Sequence, residues 1–342
     1  MFHAAVAGAE KELLTDLLEE VSRSLYLTLR VLPKSIRPQI GLAYLLARTT
    51  DTIADTEIVS IEQRLKMLQA LRERILGTSS QPLNFGELAQ HQGSPAERLL
   101  LEKSEASLAL LQSQSAIDQK LTRDVLDVIT SGQELDLKRF GSVTSPTKII
   151  ALQTDAELDD YTYRVAGCVG RFWTRICLAH QFSTVQTAVP SFEELGVRFG
   201  KGLQLVNILR DIPADLAKGR CYIPAGKLAG IGLAPEDLLR PENEPQFRPL
   251  YNKYLDLTES HLAAGWEYTN LVPFGQMRIR LACSWLILIG LKTISRLRSD
   301  NVLDPRVRIK IPRAEVWQIV RRSILYYPLP GTWRGLATFT GH

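Results

Sequence analysis

The sequence predicts an all-α fold. Apolar residues recur at helical spacing from residue 9 to about 320, no stretch alternates β-branched and polar residues, and the breaks fall where Gly, Pro and Ser cluster. With 342 residues, 45% of them hydrophobic, the chain can bury a large core without staples. The 41 Lys and Arg against 37 Asp and Glu leave a net charge of +4, too little over this length to argue for nucleic acid, so any basic function must be local.

The elements follow in order. The opening MFHAAVAGAEKELL lacks a basic region followed by an apolar stretch, so no signal peptide is expected. "SRSLYLTLRVLP" and "AYLLARTTDTIADT" begin the helical pattern, and a break spans Gly77 to Pro95. Leu99, Leu100, Leu108, Leu111, Ile117, Leu121, Val125, Leu126 and Ile129 then draw one long amphipathic stripe. Further breaks run from Gly141 to Pro146, Ser183 to Ser191, Pro224 to Pro249 and Ser299 to Pro305. The longest apolar run, Leu281 to Leu291, contains Ser284 and stops at Lys292, far short of the roughly 20 residues of a membrane-spanning helix. Cys168, Cys177, Cys221 and Cys283 form no CxxC pair and no zinc spacing, which suits reduced thiols in a cytoplasmic protein. No linker or repeat divides the chain, so one domain is expected, with its core over about 10–320, a tail over 321–342, and helices around a central apolar cavity.

Chemistry enters with two acidic stripes. In "ARTTDTIADT" Asp51 and Asp55 stand four apart, and in "QLVNILRDIPADLAKGR" Asp211 and Asp215 repeat that spacing. Residues four apart on a helix share a face, so each pair of carboxylates repels unless a cation joins it. Hard oxygen ligands without His or Cys suit Mg²⁺, which takes a few carboxylates, waters and phosphate oxygens. A lone D-x-x-x-D is commonly a solvated face, but here the neighbours repeat as well. Arg48 precedes the first pair and Arg210 the second, while Tyr44 and Gln204 stand two turns before their aspartates. Asn207 joins the second face amid Leu203, Leu205, Ile208 and Leu209, where a buried polar group is costly without a partner. Two such stripes facing one another across a cavity would hold two diphosphates. Ser22, Arg23 and Ser24 could grip further phosphate oxygens.

These blocks, with "YTYRVAGCVG" and "SGQELDL", resemble the squalene/phytoene synthase family of head-to-head prenyl transferases, most of all the bacterial squalene synthases, over roughly Val21 to Pro224. The resemblance implies an all-α isoprenoid synthase fold that binds Mg²⁺ and two farnesyl diphosphates through Asp51, Asp55, Asp211 and Asp215, with Asn207 beside the metal. It places Ser22, Arg23, Ser24, Tyr44, Arg48, Gln204, Asn207, Arg210 and Arg220 on the diphosphates and gives Tyr161 a role in the first half-reaction. Val165, Ala166, Gly167, Val169 and Gly170 would line the cavity, the glycines also serving tight helix packing. "RVRIKIPRAEV" resembles the segment with which squalene synthases hold NADPH, which points to Lys310 and Arg313, with Arg308 beside them. The implied product is squalene, formed through presqualene diphosphate. The alternatives are phytoene or dehydrosqualene synthase, or an enzyme that stops at presqualene diphosphate. The resemblance also implies a monomer.

The first motif departs from the family's habit of a further acidic residue, since Ala54 and Thr56 flank Asp55, and the number of Mg²⁺ ions stays open. A non-catalytic scaffold would be expected to have lost aspartates, whereas all four are present. A di-iron bundle needs Glu-x-x-His, which none of His3, His91, His180, His261 and His342 completes. In the tail, Tyr326, Tyr327, Trp333 and Phe339 suit peripheral membrane contact or packing back onto the domain.

Overall fold

Residues 12–22, 26–141, 148–183, 185 and 187–339 are described by the computed structural model, and nearly every regular element among them is a helix. The exceptions are β1 (Ile150–Ala151) and β2 (Arg220–Cys221), a parallel pair in which Ile150 lies opposite Arg220. Two compact units emerge. The first comprises residues 1–141 and 172–183, and the second comprises 142–171 and 184–342.

In the first unit, α1 (Arg37–Asp55) packs on α5 (Ala116–Phe140) and α2 (Ile61–Leu76), with α3 (Pro95–Glu102) and α4 (Ser104–Ser113) also against it. The local signals are explicit. Ser60 and Gln63 form a capping box at the start of α2, and Gly77 ends that helix in the left-handed region at φ 77°. Ser94 caps α3 and Ser115 caps α5. These caps correct the single amphipathic stripe expected over Leu99–Ile129. It is three helices, and Ile117, on the first turn of α5, is exposed. Leu42, Leu45, Leu46 and Ile53 of α1 are fully buried and meet a core that includes Leu68, Leu71, Leu100 and Leu126.

The second unit is built on α8 (Val189–Arg210) against α10 (Glu244–Leu271), with α11 (Met277–Ser299) on both and α12 (Arg313–Tyr326) on α11. Phe192 and Tyr268 stack at 4.3 Å where α8 meets α10. A π-helical turn, Tyr163–Gly167, joins α6 (Asp155–Thr162) to α7 (Cys168–His180), whose residues from Phe172 onward belong to the first unit. Here the backbones touch. A Cβ on Gly170 would lie 1.8 Å from the Gly196 carbonyl oxygen, and one on Gly200 would lie 2.2 Å from that of Ala166. The break expected from Pro224 to Pro249 ends early, because α10 begins at Glu244 and carries Pro249 inside it. The carbonyl that Pro249 cannot bond is that of exposed Pro245, where water can serve it. All four cysteines are buried and free, and no helix among the described residues is long and apolar enough to cross a membrane.

Candidate active site

In the first unit, α1 carries Tyr44, Arg48, Asp51 and Asp55 down one face, and partners from three other segments meet them. Gln133 of α5 donates from Nε2 to Asp51 Oδ1 at 2.5 Å. Arg48 lies 4.0 Å from Asp51 but gives its closer ion pair to Glu97, in the first turn of α3. The Tyr44 hydroxyl donates to the Val21 carbonyl at 3.3 Å, next to Ser22, whose buried Oγ has no partner among the described residues. Arg23 and Ser24 lie outside the described residues.

The Asp51 carboxyl is pushed up to about 7, first by burial, then by the Asp55 charge, against the pull of Arg48 and Gln133. Its side chain nevertheless keeps 45% of its surface open, so water tempers the desolvation, whereas the Asp55 charge acts however solvent enters. Asp55 itself is exposed at the last position of α1. Two carboxylates one turn apart, one of them reluctant to ionise, fit a divalent cation that would relieve both. No three His, Cys, Asp or Glu form a ready metal-binding cluster among the described residues.

The second stripe is built differently. Residues Asp211 and Asp215 do not share an unbroken helix, because α8 ends at Arg210 and α9 (Ile212–Ala217) starts beyond Asp211. Pro213 is the cause. It has no N–H for the Leu209 carbonyl, and the Tyr251 hydroxyl of α10 donates there instead, at 3.1 Å. The two aspartates stay in helical register, since the Asp215 N–H bonds the Asp211 carbonyl at 3.0 Å. Asn207 is exposed, which corrects its expected burial among leucines. Arg210 grips Asp211 with both prongs, Nε at 2.9 Å and Nη2 at 2.6 Å, and this bond raises the guanidinium's affinity for its proton. A cation at Asp211 would therefore compete with Arg210 for the carboxylate. Gln204 is half-buried on the same helix, two turns before.

Asp215 and Arg220 line one small recess together with Tyr222. Tyr222 in turn stacks on Tyr161 at 4.6 Å and accepts its hydroxyl at 3.3 Å. Tyr161 is thus buried in the last turn of α6 beside the second stripe, immediately before the π-helical turn. Val165 and Ala166 are half-buried and Val169 is exposed, while Gly167 and Gly170 meet α8. Arg308, Lys310 and Arg313 are exposed around the start of α12, and none of them pairs with an acid among the described residues. Arg296 fixes this segment by donating to the Lys310 carbonyl at 2.7 Å. Three exposed cations within six residues fit a phosphate group.

The squalene/phytoene synthase family model matches residues 18–315. The chain belongs to the squalene/phytoene synthase family. Among its relatives is a presqualene diphosphate synthase of Zymomonas mobilis, 26% identical over 89% of this chain and 90% of that one. The squalene synthase ERG9 of Saccharomyces cerevisiae is 27% identical over 67% of this chain, which spans about half (49%) of the yeast protein. Among solved structures, a complex of TcSQS with the ligand E5700 matches with a TM-score of 0.75 at 19% identity, over 92% of this chain and 86% of that one. At that identity the likeness shows the fold, and it agrees with the all-α class expected.

Sequence reasoning missed Gln133, Glu97, Tyr222 and Tyr251 as site residues. Gln133 lies inside the block "SGQELDL" and Tyr222 two residues beyond "QLVNILRDIPADLAKGR", so proximity to a motif was an available signal. Glu97 and Tyr251 come from helices whose spacing carries no mark of the site.

Proposed function

We propose that this protein joins two farnesyl diphosphates head to head, giving presqualene diphosphate, and then reduces that product with NADPH to squalene. The observation that carries the proposal is the pairing of Asp51 and Asp55 one turn apart on α1, where burial and the Asp55 charge raise the Asp51 carboxyl above its ordinary range. Bound Mg²⁺ would supply the charge against which a diphosphate departs, held at Asp51 and Asp55 in the first unit and at Asp211 and Asp215, with Asn207 alongside, in the second. Arg48, Arg210 and Arg220 bind and orient diphosphate oxygens, with Ser22, Tyr44 and Gln204 contributing hydrogen bonds. Arg210, once parted from Asp211, is the guanidinium that exchanges a carboxylate for a phosphate.

Tyr161 holds or moves a proton at its hydroxyl, and the stacked faces of Tyr161 and Tyr222 stabilise positive charge on the allylic carbons. Burial around this pair excludes water that would quench the cation. NADPH would supply the hydride of the second stage, with Arg308, Lys310 and Arg313 holding its phosphate.

A second reading, in which the reaction stops at presqualene diphosphate, is favoured by the Zymomonas mobilis relative, matched over about nine-tenths of both chains. Pure protein incubated with farnesyl diphosphate and Mg²⁺, with and without NADPH, separates the two. Squalene formed only with NADPH supports the full sequence. Presqualene diphosphate as the sole product under both conditions establishes the shorter one. A dehydrogenated hydrocarbon, whatever the cofactor, overturns both.

A further inference from the structure

Within the second unit, away from both aspartate stripes in the sequence, a cavity of about 530 Å³ lies where the end of α10 and the start of α11 meet the C-terminal segment. Arg280, in the first turn of α11, lines it and is 7% exposed. Its guanidinium sits 5.7 Å from the centre of the Phe274 ring, 5.4 Å from Tyr327 and 5.3 Å from Trp333. Nη2 donates to Asn270 Oδ1 at 3.0 Å and the group also meets the Tyr327 hydroxyl, yet the buried Nε has no hydrogen-bond partner among the described residues. The rings supply π-faces, which attract a cation and are at best weak acceptors for an N–H.

A second guanidinium, Arg334, lines the same cavity, and neither arginine pairs with a carboxylate among the described residues. Burial and the Arg334 charge both work against Arg280 keeping its proton. Two like charges at one cavity, one of them nine-tenths buried with a donor unsatisfied, are costly unless an anion joins them. The start of α11 adds to this field, because Gln276 makes no side-chain cap and the first turn holds no acid. Asn270 also lines the cavity, and its apolar lining includes Pro273, Phe274 and Pro330.

We infer that this cavity binds a phosphate monoester carrying an apolar chain, its phosphoryl oxygens on Arg280 and Arg334 and its chain against the exposed Phe274 and Pro330. Paired guanidiniums match a dianionic phosphoryl group bidentately, and the volume exceeds what a bare anion fills. The source of such an ester is either a soluble prenyl phosphate or a phospholipid headgroup. The inference stands apart from the proposed function, because it uses none of those residues and needs no metal.

The test is equilibrium binding to the full chain in EDTA, where metal-dependent sites are silent. Farnesyl monophosphate is titrated in one arm, and vesicles of phosphatidic acid in phosphatidylcholine are titrated in the other. Saturable binding in either arm that weakens about tenfold or more in Arg280→Gln supports the site and identifies the source. Exposed Arg334→Gln, which leaves the aromatic box intact, keeps the test decisive if the first variant fails to fold, and it should weaken binding several-fold. Absence of saturable binding in both arms overturns the inference, as does binding that Arg334→Gln leaves unchanged.

Discussion

Asp51 and Asp211 open two copies of the same motif and are held in opposite ways. Asp51 has its arginine drawn off to Glu97, a neighbour in Asp55 that repels it, and a carboxyl pushed up to about 7. Asp211 has both oxygens clasped by Arg210. The first stripe is short of positive charge, and the second is already neutralised from within. A divalent cation therefore fills a deficit at the first stripe and must win an exchange at the second. Identical spacing does not make the stripes equivalent, because the partners come from elsewhere in the chain.

The largest expected effect comes from Asp51→Asn. Turnover with Mg²⁺ should fall on the order of a thousandfold, the loss of several kcal/mol of charge stabilisation. Its stability should move the other way. The folded carboxyl is pushed up from its ordinary 3.8, so as pH rises above that value the unfolded chain ionises first, and the stability Asp51 contributes drains away. Asn cannot ionise, so in EDTA the variant's Tm should match wild type at pH 4 and exceed it at pH 8. A variant that is destabilised at pH 8 would show that Asp51 is a structural partner instead.

Next comes Tyr161→Phe, expected to cost about a hundredfold or more in the first half-reaction, measured as presqualene diphosphate formed. Tyr222→Phe keeps the stack and removes only the accepting hydroxyl, so it should cost less. Equal losses would mean that the pair acts through its hydrogen bond. Arg210→Gln should sharpen the contrast between the stripes: Mg²⁺ binding, followed by calorimetry, tightens because Asp211 is no longer clasped, while turnover falls about tenfold or more for want of a phosphate ligand. Weaker Mg²⁺ binding would mean that Arg210 positions Asp211 instead of competing for it. The smallest effect belongs to Tyr251→Phe, which strips the Leu209 carbonyl of its donor and should cost about 1–3 kcal/mol in denaturant unfolding.

The helical class was legible in the chain, because apolar residues recur at helical spacing, but the division of Leu99–Ile129 into three helices was not, although Ser94 and Ser115 cap two of them. The acidic stripes and their arginines could be read because local spacing on a helix fixes which residues share a face. What could not be read was partnership across the chain. Nothing in the spacing says that Glu97 takes Arg48, that Gln133 reaches Asp51, or that Arg210 turns onto Asp211. The break at Asp211 was foreseeable from Pro213, but its repair by Tyr251 depends on how α10 lies against α8. Asn207 was misjudged for a related reason, since leucines adjacent in sequence point away from it around the helix.

The most direct test titrates Mg²⁺ into the full chain by calorimetry, with a non-hydrolysable farnesyl diphosphate analogue present, and compares wild type with the Asp51→Asn/Asp211→Asn double variant. Wild type should take up metal saturably, and the double variant should lose that uptake while remaining folded by circular dichroism. Undiminished Mg²⁺ binding in the double variant would contradict this.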